Sequence, residues 1–124
     1  MNMTVEFRLN ELGVIAQEVC DALRNEVYKL GFSTCSIDPD IKRAEYLLSR
    51  DLGSGENSLI GIWRDQKGNK QGEILFHFDG SFYAEYDVIR EHPEKPQWFV
   101  ESVTAWGRDS MIKSEPKLLP SVSE

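Results

Sequence analysis

The sequence predicts an α+β domain: an antiparallel β-meander of about four strands, with an N-terminal amphipathic helix and a second, shorter helix packed on one face. Three observations lead there. Apolar residues recur at three- and four-residue steps from Leu12 to Leu30, the apolar period changes to two after Asn57, and turn residues, above all Asp79-Gly80, punctuate the second half. At 124 residues, with 40% hydrophobic and 28% charged side chains, the chain suits one core that needs no metal or disulfide. Residues 1–109 read as a single α+β domain and 110–124 as a C-terminal tail marked by Pro116 and Pro120.

Taken in order, Val5, Phe7 and Leu9 alternate with Glu6 and Arg8, the signature of a short strand. Asn10 is a good N-cap for the long helix that follows. Its apolar stripe is Leu12, Ile15, Ala16, Val19, Leu23, Val27 and Leu30, and Gly31 supplies the stop. Glu11, Glu18, Asp21, Arg24 and Lys29 occupy the other face. Asp38-Pro39-Asp40 places a cap, a first-turn proline and a dipole-complementing acid ahead of Ile41, Ala44, Leu47 and Leu48, so a second helix is expected to run to about Arg50. Residues 53–57 read as a flexible loop. Strands are then expected over residues 59–64, 72–78, 81–89 and 97–106, with Pro93 and Pro96 arguing against a tight hairpin before the last.

The turn at Phe78-Asp79-Gly80 decides which residues face the core. A two-residue loop would set Ile74, Phe76 and Phe78 on the face that carries Tyr83, Glu85 and Asp87, mixing core with charge. A three-residue loop with Gly80 left-handed in a bulge slips the register by one. Ile74, Phe76, Phe82, Ala84, Tyr86 and Val88 then share the inner face, and Glu73, Leu75, His77, Tyr83, Glu85 and Asp87 the outer. This segregation selects the bulged turn. In the last strand, keeping Glu101 out of the core puts Trp98, Val100 and Trp106 inside, and Phe99 and Val103 outside, against a partner or under Leu118 and Leu119 of the tail.

The net charge of −7 is spread along the chain without a Lys/Arg cluster, which disfavours nucleic acid. Neither a leader pattern nor a long apolar run is present, so no membrane partner is expected and the cytoplasm is the expected compartment. Cys20 and Cys35 lack metal-ligand spacing, and Cys20 lies on the helix as a small hydrophobe. Gly53-Ser54-Gly55 has neither the lysine of a phosphate loop nor the spaced glycines of a dinucleotide site. No cofactor is expected.

His77 near Tyr83, Glu73 and Glu85 is the raw material for a general base, but no nucleophile or oxyanion donor accompanies it, and His92 reads as an exposed loop residue. Trp98 and Trp106 are expected to be largely buried. No catalytic or metal residue is therefore assigned. The binding residues expected are Glu73, His77, Tyr83, Glu85, Asp87 and Phe99, on an acidic outer sheet face suited to a basic protein or to a second copy of the chain. The expected function is a small acidic protein-binding module of the inhibitor, immunity or chaperone kind. The alternative is a small-molecule binder or enzyme with a pocket between helix and sheet.

Overall fold

The computed structural model describes residues 4–32, 39–50 and 57–121. Two helices, α1 (Val5–Leu12) and α2 (Val14–Leu30), precede six strands. These are β1 (Glu45–Arg50), β2 (Asn57–Arg64), β3 (Lys70–Phe76), β4 (Ser81–Glu91), β5 (Trp98–Arg108) and β6 (Met111–Pro120). The strands form one antiparallel meander in sequence order, six rather than about four.

The expected strand at Val5, Phe7 and Leu9 is instead the start of α1. The Thr4 hydroxyl accepts the Phe7 N–H at 3.1 Å, capping a helix whose Val5, Leu9 and Leu12 reach the core while Phe7 stays exposed. Helical spacing thus places three apolar residues inside, where the alternating pattern would have placed Phe7 as well. Asn10 is inside α1, not a cap. Gly13, at φ +55°, breaks the chain between the two helices, a conformation glycine adopts without the Cβ penalty. Gly31 ends α2 in the left-handed conformation, as expected.

The helix expected from Asp38 to about Arg50 does not form. Asp38, the expected cap, lies outside the described residues; Asp40, expected inside the first turn, is itself the cap, accepting the Lys42 N–H at 2.9 Å, and only the three-residue 3₁₀ segment Ile41–Arg43 follows it. The chain then extends into β1, whose Tyr46 and Leu48 point to the core and whose Leu47 points away. Pairing with β2, from Glu45 opposite Ile62 to Arg50 opposite Asn57, outweighs the weak helical spacing. Of the loop expected at 53–57, residues 53–56 lie outside the described residues, as does Cys35, and Asn57 opens β2.

The β3–β4 turn forms in the bulged register. Gly80 N–H donates to the His77 carbonyl and His77 N–H to the Ser81 carbonyl, Gly80 sits at φ +93°, and Phe76 faces Phe82. Ile74, Phe76, Phe82, Ala84, Tyr86 and Val88 are all buried. On them lies α2, through Ala16, Val19, Cys20, Leu23, Val27 and Leu30. Burying a Leu or Val side chain of this stripe contributes about 1.5–3 kcal/mol.

Strict alternation does not hold in β5 because two bulges change the register. One lies in β4 between Asp87 and Arg90, the other in β5 between Val100 and Ser102. Val100 is buried on one side of the second bulge, and Val103 and Ala105 on the other. Trp106 faces outward opposite Tyr83, and both Trp98 and Trp106 are half-buried rather than interior. The bulge lets Glu101 remain at the surface, 3.5 Å from Lys117, without turning valines to water.

Residues 111–120 are a strand, not a tail. They complete the sheet, with Ile112 and Leu118 on the core side. Leu119 faces Phe99 and Leu118 faces Val100. Prolines are tolerated in β6 because it is an edge strand with one unpaired side. His92 is also corrected: it is buried, and its Nδ1 accepts the backbone N–H groups of Glu94 and Lys95 at 3.1 and 3.0 Å, ordering the β4–β5 connection.

Ile89, in the β4 bulge, is 64% exposed and held at φ +50°. A β-branched side chain is strained there, and asparagine tolerates the conformation better. Ile89→Asn is therefore expected to stabilise the fold by about 1 kcal/mol, read as a raised melting temperature by circular dichroism.

Candidate functional site

Both helices cover one side of the sheet, and the other side carries no layer among the described residues. The register builds that open face row by row. Leu47, Ile60, Leu75, Tyr83, Trp106 and Lys113 are successive cross-strand partners from β1 to β6. The adjacent row is Glu45, Ile62, Glu73, Glu85, Thr104 and Glu115. An apolar ridge ending in two aromatic rings therefore runs beside a line of carboxylates. Leu47 is 45% exposed and Tyr83 39%.

Glu73 and Glu85 stand directly opposite each other, a like-charge pairing that costs stability unless something offsets it. Lys70 approaches Glu73 at 2.9 Å, and the Tyr83 hydroxyl donates to Glu85 Oε2 at 3.0 Å. Partial burial, that hydrogen bond and the charges of Glu85, Glu73 and Glu115 push the Tyr83 phenol up to about 12. Asp87 is raised above the ordinary carboxylate range, first by partial burial and then by Glu85, Glu101 and Glu73, with Lys70 opposing. The face is electronegative by construction.

The sign of the Asp87 effect gives a pH prediction. A carboxyl raised in the folded state favours folding most when protonated, below its unfolded value of about 4, and that contribution is lost as pH rises through the higher folded value. Asp87→Asn is expected to raise the melting temperature at pH 7. The gain should vanish in unfolding scans near pH 3–4.

Of the residues expected at the site, Glu73, Tyr83, Glu85 and Asp87 are brought together on this face. Phe99 lies apart, half-buried beside Glu91, Leu119 and Pro120. His77 is separated from the carboxylates as well. Its Nδ1 lies 3.2 Å from Ser58 Oγ and its carbonyl accepts from Arg8 of α1 at 3.1 Å. A serine beside a histidine resembles half of a nucleophilic pair, yet Ser58 is only 9% exposed and no carboxylate hydrogen-bonds the ring among the described residues. Among the described residues there is also no group of three His, Cys, Asp or Glu placed to hold a metal, and no helix long and apolar enough to cross a membrane.

The residues missed from sequence are Trp106, Thr104, Glu115 and Lys117. With Tyr83 and Glu85 they line an open depression of about 500 Å³. The depression exists because Thr104, small and 8% exposed, stands between the longer side chains of Glu85 and Glu115. Its hydroxyl is turned to the Glu115 carbonyl at 3.3 Å. The alternation of Met111, Lys113, Glu115 and Lys117 outward with Ile112, Ser114, Pro116 and Leu118 inward was the available signal. Comparison with protein-family models, with curated proteins and with solved structures gives no significant match.

Proposed function

We propose that this chain is a protein-binding module that engages its partner with the open face of the sheet. One observation carries the reading: the row Leu47, Ile60, Leu75, Tyr83 and Trp106 crosses five strands with no layer over it among the described residues. Exposed apolar rows rimmed by charge are the usual form of an interaction surface, and tyrosine and tryptophan supply most of the energy at such surfaces. The net charge of −7 and the carboxylates beside the row favour a basic partner and speed the encounter with it. The space between helix and sheet supports a small-molecule role less well. The cavity bounded by α1 and the β3–β4 turn, lined by Arg8, Glu11, Ile15 and Phe82 among others, holds about 180 Å³, below the usual size of a ligand site.

A photoactivatable phenylalanine analogue placed at position 83 is expected to crosslink a partner in cell extract, whereas the same group at position 18 on α2 yields none. The double variant Tyr83→Ala with Glu85→Lys should abolish capture while leaving the circular dichroism spectrum intact. Undiminished capture by that folded variant would remove the open face as the binding surface.

A further inference from the structure

The depression around Thr104 has a chemistry more specific than the face as a whole. Tyr83 and Trp106 are direct cross-strand neighbours and present aromatic surface along one side. Glu85 and Glu115 flank Thr104 on the next row, and strands about 4.8 Å apart put their backbones about 10 Å from each other. That span suits one planar cation between two carboxylates. Glu85 is oriented by the Tyr83 hydroxyl at 3.0 Å. Two lysines stand near the depression: Lys117, whose ammonium is 3.5 Å from Glu101, and Lys113, opposite Trp106. No ion pair among the described residues involves Glu85 or Glu115.

We propose that the depression lined by Tyr83, Trp106, Glu85 and Glu115 is a recognition pocket for an arginine side chain on the partner protein. This rests on the open face being the binding surface. A guanidinium fits better than an ammonium because it stacks flat on aromatic rings while its N–H groups reach carboxylates on either side. Charge complementarity selects this occupant over a second copy of the chain, whose own open face carries the same acidic row. Beyond the effect of partial burial, the charges of Glu85, Glu73 and Glu115 raise the Tyr83 phenol, in keeping with a cation-attracting field.

The test uses the full chain and a short capped peptide carrying one arginine, followed by the chemical shift of the Trp106 indole N–H. Saturable shifts are expected at Trp106 and at the Thr104 amide. The same peptide with lysine should bind about threefold more weakly, and with neutral citrulline at least tenfold more weakly, because the cation–aromatic and charge-assisted contacts are lost. Glu115→Gln, which leaves the core untouched, is expected to weaken the arginine peptide by about tenfold. Trp106→Leu should weaken it by about fivefold. Equal binding of arginine and citrulline peptides would overturn the proposal, as would an unperturbed Trp106. If Trp106 is unperturbed while position 83 still crosslinks a partner, the arginine pocket falls and the open face stands. If position 83 also crosslinks nothing, both readings fall. A concentration-dependent dimer in sedimentation that Trp106→Glu abolishes would assign the face to a second copy and likewise overturn the pocket.

Discussion

Trp63→Ala is expected to destabilise the protein by about 3–5 kcal/mol, the largest loss from any single side chain in the core. Trp63 is fully buried and opposite Gly72, which in turn faces Tyr86. With glycine between them, the two large rings meet edge-on at 5.5 Å and 62° across β3. The indole N–H donates to the Asp40 carbonyl at 2.8 Å, tying the entry to β1 onto the sheet. Alanine would leave a cavity against Tyr86 and remove one of the two hydrogen bonds to that carbonyl, which keeps only the Arg43 N–H at 3.0 Å. Small domains are stable by only about 5–15 kcal/mol, so the variant should unfold at a much lower urea concentration. Trp63→Phe fills most of the volume and should cost about 1–2 kcal/mol, the value of the lost hydrogen bond. A loss below 1 kcal/mol for alanine would contradict the packing described for this ring pair.

Gly107→Ala is the second large effect, and its cause is backbone rather than cavity. A Cβ at Gly107 would run into the Met111 carbonyl oxygen and stand 2.9 Å from the Phe82 ring. Neither group can swing aside, since Met111 opens β6 and Phe82 lies in the core. Relief requires β6 to move away from β5, breaking the pairs of Gly107 with Ile112 and of Arg108 with Met111. A cost of about 3 kcal/mol is expected, at the upper end for overpacking. Amide exchange should show protection lost first along β6, while the β2–β3 ladder keeps its own. Uniform protection across the sheet would contradict the close approach.

Local chemistry made some elements legible without the fold. The stripe Ala16, Val19, Leu23, Val27 and Leu30 with Gly31 defines α2 because its helical period, face and stop agree. At Phe78-Asp79-Gly80 only the bulged register keeps charge off the core side, and the structure has that register. The same register sets Glu73, Tyr83, Glu85 and Asp87 on one surface. It also assigns His77 to that face, and strand parity assigns Phe99 to it, but His77 is turned to Ser58 and Phe99 lies beyond the two bulges.

Other elements were illegible because their cause is distant in the chain. Val5 to Leu9 fits a strand as well as a helix until the core that receives Leu9 and Leu12 is present. Residues 41–48 carry a helical spacing that β2 overrides by offering a hydrogen-bonded edge. The prolines of 111–120 suggested an end to regular structure, yet an edge strand leaves one side unpaired and can hold them.

The amphipathic helix, the meander and the register of its central hairpin follow from local sequence, since each depends on neighbours a few residues apart. Long-range pairing is what extends the sheet with β1 and β6, turns Val103 inward and Trp106 outward through paired bulges, and gathers Trp106 and Glu115 with Tyr83 and Glu85 around Thr104. Those outcomes depend on cross-strand pairing, which brings side chains together according to register and not according to their separation along the chain.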